Sequence, residues 1–470
     1  SNNTKKSMTN INKKAKSLPN YLKETSSLFS NKTENEFIFF GCWNNINCKK
    51  KNTDRDIVLH LLKSLYKNYK IILAGDNWYN QKVNKITYKD SKDKVLKYYP
   101  LYILHTGYKL LFDISRNVDI VLGNHDINPD NIISKGNIID NFCNNLGCML
   151  YVQNNVIAQT LKLKEGIDLN LGMETINKDV KDVYNYPDSN VVLYSCKPKL
   201  IKQNKGIYFL YLNTNIFETS IDSINKYKQL IQLELLNVHK KIKLLFIVGH
   251  HPFAGLKEKK ELSIKSISEL YFKNNKEKTN IIYGLLDLFV KYKSIYLCAD
   301  IHSFQICKLH PNICMVIVGS GGANADIVAE EFTDINYINN DIQCNLHKSV
   351  NSYAISELYV HNPYGFSKIS YDKETLNITI KYYNIKDYED QNITYSIYSY
   401  LLKNTKDCWF IEKLENDLNK NITIETIINP SKTYCNLFKI KKGTEEEIIK
   451  ELIESKIIAS NNGKECGIKK

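Results

Sequence analysis

The stretch Ile71-Ile72-Leu73-Ala74-Gly75-Asp76-Asn77-Trp78-Tyr79 decides how this chain is read. An apolar run climbs to a glycine, and an aspartate, an asparagine and a tyrosine follow at once. A short apolar run bounded in this way is a buried strand that delivers side chains at its carboxyl end, where open α/β sheets place their sites. The shape recurs. Phe37–Phe40 leads to Gly41-Cys42-Trp43-Asn44, and Val118–Leu122 leads to Gly123-Asn124-His125-Asp126. Lys243–Val248 leads to Gly249-His250-His251-Pro252, and Ser294–Cys298 leads to Ala299-Asp300-Ile301-His302.

Further strands are expected at Ile207–Leu212 and Ile313–Val318, with helices at Ile57–Lys67, Leu101–Arg116 and Asn225–Lys240, where apolar residues recur at helical spacing. Alternating strands and helices predict a layered α/β fold. Tyr353–Tyr359, Gly365–Tyr371 and Leu376–Tyr383 read as a closing antiparallel set. Three parts are expected: a flexible basic arm over 1–35, a main domain over 36–386, and a C-terminal extension over 387–470 without a motif. The arm is basic because residues 1–36 hold seven lysines against three glutamates.

The chain has 470 residues, 43% of them hydrophobic, enough for a sizeable core. Its apolar runs are strand-length, so no membrane span is expected, no signal peptide is visible, and the protein reads as soluble with its location undetermined. The formal charge is +14, but the lysines are scattered among acids, and no nucleic-acid module accompanies them. Nucleic acid is therefore not the expected partner; a phosphodiesterase acting on it is the weakest of the readings, resting on charge alone. Twelve cysteines lie dispersed without zinc-finger spacing. Most read as small buried hydrophobes, and the Cys42–Cys48 spacing permits a local disulfide.

Taken singly, an Asp, Asn or His in a loop is most often a cap or turn residue. Together, four successive strand ends carrying Asp, Asn with His, His with His, and Asp with His form an oxygen-and-imidazole set suited to two adjacent transition metals. In order and spacing, GDNWY at 75–79, GNHD at 123–126, GHHP at 249–252 and ADIH at 299–302 resemble the calcineurin-like metallophosphoesterase family over about residues 36–385. The tyrosine of GDNWY brings the purple, tartrate-resistant acid phosphatase branch nearest. Leu212-Asn213-Thr214-Asn215, the helix bearing Gln229–Leu233 and the Gly319–Gly322 turn fit the same pattern.

The resemblance implies a four-layer α/β/β/α sandwich that hydrolyses phosphomonoesters by a metal-bound hydroxide. It implies two divalent or trivalent ions of iron, manganese or zinc, with single occupancy as the other option. Asp76 would bridge the ions, Tyr79 and His302 would bind the first, and Asn124 and His250 the second. His125 would be the catalytic imidazole, oriented by Asp126, while His251, Asn77 and Asn124 would contact a phosphorylated substrate whose identity the sequence does not give.

Two departures stand out. Cys42 occupies the place of the family's first aspartate, and Asp300 that of the first histidine in its last motif. Asp300 can still serve as a second-metal ligand, and Asn44 offers a carbonyl oxygen near Cys42. The sequence leaves open whether Cys42 is a thiolate ligand or a lost one. A catalytically impaired relative acting as a scaffold, with protein partners engaged through the arm or the extension, is accordingly the rival to the enzyme. Specificity is expected in long loops over 127–205 and 252–280.

Overall fold

A computed structural model describes residues 34–45, 54–79, 92–127, 147–162, 181–257, 264–272, 275–323, 344–348, 352–389 and 391–424. The expected arm over 1–35 lies almost wholly outside them, as does 425–470.

Two mixed sheets form the frame. The first runs, edge to edge, Trp409–Lys413, Asn392–Asn404, Ile378–Glu389, Gly365–Tyr371, Glu36–Phe40, Ile71–Leu73, Asn117–Val121, Asn190–Tyr194 and Val183–Asn185, with Asp417–Thr423 also paired to Asn392–Asn404. The second runs Glu357–His361, Phe304–His310, Ile313–Val318, Lys293–Cys298, Leu244–Val248, Ile207–Tyr211 and Lys199–Asn204. Each has a parallel centre and antiparallel flanks. Glu36–Phe40, Ile71–Leu73 and Asn117–Val121 are mutually parallel, and so are Ile207–Tyr211, Leu244–Val248 and Lys293–Cys298. These central strands are buried on both faces, which is why they read as unbroken apolar runs rather than alternating ones.

The sheets pack face to face. Phe37 of the first meets Phe209 and Phe246 of the second edge-on, at 5.4 and 5.6 Å between ring centroids. Helices Asp54–Tyr66, Lys92–Ile114 and Gly147–Lys162 associate with one another, the first of them against strand Gly365–Tyr371. Helices Ile221–Leu236 and Lys276–Leu286 pack together beside strand Lys199–Asn204, where Glu234 accepts the Leu200 amide at 2.9 Å. Ser220 caps the longer of the two by accepting the Ser223 amide. The layers are those of the expected α/β/β/α sandwich.

Three expectations change. The segment Tyr353–Tyr359 is two strands, not one: Ser352–Ile355 pairs with Cys344–Lys348, while Glu357–His361 joins the second sheet. The break at Ser356 lets the chain cross between partners. The expected boundary at 386 falls inside strand Ile378–Glu389, and three further strands carry the first sheet on through 423. The described part of 387–424 is therefore sheet continuous with the main domain. Finally, the stretch 127–205, expected as loop, contains helix Gly147–Lys162 and three strands. Cys196 is disulfide-bonded, whereas Cys42, Cys298, Cys307, Cys314 and Cys408 are free thiols, so the Cys42–Cys48 bridge is not formed. Among the described residues no helix is long and apolar enough to cross a membrane.

A candidate metal centre at the seam between the sheets

The two sheets touch most closely where their central strands end. The Gly41 amide donates to Val318 O of the other sheet at 2.8 Å, and Gly321 returns a bond to Gly41 O at 3.1 Å. A Cβ on Gly41 would stand 2.6 Å from Ala299 Cβ, so only glycine fits this crossing. Three strand-end residues just beyond the seam take left-handed backbone: Cys42 at φ 50°, Asp76 at 55° and Asp300 at 60°. Left-handed backbone is uncommon for any residue with a side chain, and it clusters at binding sites, where packing holds it in place.

His250 organises what lies there. Its Nδ1 is 2.7 Å from the Ala74 carbonyl, which can only accept, so Nδ1 carries the proton. In the neutral ring Nε2 is then a lone pair. Around it stand Asn124 Oδ1 at 3.0 Å, Asp76 Oδ1 at 3.3 Å and Asp300 Oδ1 at 3.7 Å. Four Lewis bases facing one another in a buried pocket are stable only around a cation, either a proton on His250 or a metal ion. Among the described residues Cys42, Asp76 and His250, all buried, also offer ligand atoms lying within 4.8 Å of one another. The residues fit a bound metal.

Hydrogen bonds hold this group in place. The Thr214 hydroxyl oxygen accepts the amides of His250 and His251 at 3.1 and 3.0 Å. It lies 2.8 Å from His251 Nδ1, to which its proton is free to go, leaving Nε2 of His251 as the N–H that faces Glu218 at 3.6 Å. Asp76 accepts the His125 amide on Oδ1 at 3.1 Å and the Tyr79 hydroxyl on Oδ2 at 3.1 Å, with the Cys42 thiol 3.6 Å from Oδ2. Asp300 receives both Lys257 Nζ, at 3.2 Å, and the Tyr271 hydroxyl on Oδ2, while its Oδ1 faces His250.

Charge follows from these partners. Burial opposes ionisation of Asp76, but the imidazoles of His250 and His125 outweigh it and hold the carboxyl below its usual range. Burial likewise opposes ionisation of Asp300, and Lys257 with the two histidines reverses it. Burial, reinforced by Asp76 and Asp300, pushes the Cys42 thiol well above its ordinary value, and burial with Asp76 and Cys42 does the same to Tyr79.

Asp76, Asn124, His250 and Asp300 are thus brought together as expected, with Cys42 and Tyr79 beside them. His125 is near, with its ring tilted against Tyr79 at 4.5 Å and Nε2 4.0 Å from Asp76. His302 is half-buried and does not join the Cys42–Asp76–His250 group.

Three expectations fail. Asp126 does not orient His125: its oxygens accept from the Gly123 amide at 2.7 Å, Asn77 at 3.0 Å and Gln153 at 3.2 Å, while His125 Nδ1 is buried without a partner. Asn77 does not face substrate, since its amide nitrogen is spent on Val121 O and Asp126 and its oxygen on Trp43 Nε1. Asn44 is turned into the core, bonded to Arg55 and to Asn77 O. All three brace the loops behind the site. His251 is buried beneath Tyr271, which meets it edge-on, so its contacts are with Thr214, Tyr271 and Glu218. Sequence reading missed Thr214 as the brace, Lys257 and Tyr271 as partners of Asp300, and Glu218. Only Thr214 lay in a motif already singled out; the others sit in loops or helices whose approach to the site is set by the fold.

No protein-family model and no curated protein matches the sequence. Among solved structures, the 5'-nucleotidase from Candida albicans is similar over 61% of this chain and 46% of its own, at 10% identity and a TM-score of 0.27. The match spans under half of that protein, and at this level it carries no inference about activity.

Proposed function

We propose that this chain is a metal-dependent phosphoesterase. The observation that supports it is the convergence of Asn124, Asp76 and Asp300 oxygens on Nε2 of His250. A bound ion would supply Lewis-acid polarisation of a phosphoryl oxygen and a more acidic water. Asp76, Asn124, His250 and Asp300 would hold it. Asp76 also fixes the GNHD loop through the His125 amide, which sets the His125 ring at the edge of the site. There His125 would hold the transferable proton at Nε2 for the leaving oxygen. Lys257, 39% exposed at its side chain, brings a positive charge that suits a phosphorylated substrate.

One observation favours the rival, a related fold that binds without turnover. Cys42 stands where the family's first carboxylate would, and Asn44, the other oxygen nearby, is committed to Arg55. Hydrolysis of an aryl phosphate by protein loaded separately with manganese, zinc and iron separates the two. Turnover that Asp76→Asn abolishes is expected; wild-type protein inert with every ion would leave the binding reading.

A further inference from the structure

We infer that Asn392 and Asn421 are acceptors for N-linked oligosaccharide, a covalent modification outside the candidate ligand set. The triplet Asn-Ile-Thr stands at 392–394 and again at 421–423. Asn-x-Ser/Thr is the pattern on which secreted proteins receive such glycans. In a chain rich in asparagine the pattern alone is weak; its placement gives it weight. Strand Asp417–Thr423 runs antiparallel to Asn392–Asn404 in the register Asn392↔Thr423, Ile393↔Ile422 and Thr394↔Asn421. Alternation sends Ile393 and Ile422 to one face, where Ile393 is buried, and both asparagines to the other, where both are exposed. Each asparagine is held by the other triplet's threonine. Thr423 Oγ1 donates to Asn392 Oδ1 and Thr394 Oγ1 to Asn421 Oδ1, both at 2.7 Å. A glycan attaches at Nδ2 and leaves Oδ1 an acceptor, so the folded pair accommodates the modification with both bonds kept.

An independent observation concerns compartment. Cys196 is disulfide-bonded, and disulfides form and persist in oxidising compartments, the secretory route among them. There the glycosyl donor is an oligosaccharide–pyrophosphate lipid. In the transfer the Asn Nδ2–C1 bond forms as the C1–O bond to pyrophosphate breaks. The lipid pyrophosphate departs with the electron pair, and one Nδ2 proton passes to a base of the transferase. The glycans would stand on and beside strand Asp417–Thr423, which is almost wholly exposed and carries Leu418 at 58% exposure. Covering such a strand blunts its association with other chains. Asn377–Thr379 repeats the triplet, but Asn377 is half-buried and accepts the Asn404 amide at 2.8 Å, and it is not assigned.

The test is peptide mapping of the full-length protein secreted from eukaryotic cells. Peptide:N-glycosidase F releases the glycan and converts its asparagine to aspartate, which heavy-oxygen water labels. Label at Asn392 or Asn421, on the same chain or on different chains, is expected. Asn392→Gln and Asn421→Gln should each lose only their own label. Thr394→Val should lose the label at Asn392 while leaving that asparagine in place. Mapping without reduction should recover Cys196 in a linked peptide. Both asparagines unlabelled in every chain, or label that survives Thr394→Val, would overturn the assignment. Cys196 recovered as a free thiol would remove the compartment argument and overturn it as well. Metal content and hydrolysis are measured separately, so none of these outcomes bears on the phosphoesterase reading.

Discussion

His250 of one sheet donates its Nδ1 proton to the carbonyl of Ala74 in the other, at 2.7 Å. That bond places a proton on Nδ1, so in the neutral ring the opposite nitrogen presents its lone pair to the centre. The remaining side chains of the centre are arranged around this one choice.

Asp76 is the residue shared by every part of the centre. Asp76→Asn keeps the shape but removes the charge and one acceptor. Hydrolysis should fall on the order of 10²-fold or more, the scale of several kcal/mol of lost charge stabilisation. Steady-state rates on an aryl phosphate, with metal content measured in parallel, check it.

Thr214→Val preserves volume yet strands the His250 and His251 amides, which share the Thr214 oxygen. A buried donor left without a partner costs about 1–3 kcal/mol. The midpoint of chemical denaturation should drop accordingly, and metal affinity with it. Affinity unchanged at full occupancy would show that the Gly249–Pro252 loop holds its shape without the hydroxyl.

Gly41→Ala places a methyl 2.6 Å from Ala299 Cβ and 3.1 Å from Ala74 Cβ. Overpacking of this kind costs about 1–3 kcal/mol, and here the strain falls where the candidate ligands of the two sheets meet. Thermal melting and metal titration should both register it, whereas an alanine at exposed Leu233 should alter neither.

Two buried histidines outside the candidate ligand set contribute to the response to acid. Burial lowers His361 to about 3, helped by Lys386 and Lys413, and lowers His105 to about 4, helped by Lys109. The unfolded chain protonates both near 6.5, so the stability of leaving them neutral is complete above that pH. It is lost as pH falls toward the folded values, at about 1.4 kcal/mol per unit for each group. Denaturation midpoints at pH 7, 5.5 and 4.5 should decline steeply, and His105→Gln with His361→Gln should flatten the slope.

The strands that carry the centre were legible because each is buried on both faces and stops at Gly or Ala before a polar cluster. Asp76, Asn124, His250 and Asp300 could be read from those stops alone. Asp126 and Asn77 were misread because their partners, Gln153 and Trp43, lie 27 and 34 residues away and enter from another helix or strand. A buried carboxylate looks the same in sequence whether it orients an imidazole or caps a loop. The outer strands Val183–Asn185 and Lys199–Asn204 were missed because their residues are partly exposed and polar, without the apolar run that marked the others. Strands Asn392–Asn404 and Asp417–Thr423 escaped notice in part because the second of them is almost wholly exposed.

The candidate ligands come in pairs from opposite sides of the sandwich: Asp76 and Asn124 from the first sheet, His250 and Asp300 from the second. An ion bound there is a rivet. By mass action it adds RT ln(1 + [M]/Kd) to the stability of the closed form, about 2.7 kcal/mol at a hundredfold excess over Kd. Stripped of metal, the chain should loosen first along this seam, with amide exchange quickening at Gly41 and Gly321 ahead of the sheet interiors. Metal supply would then be read twice, as activity and as the lifetime of the fold.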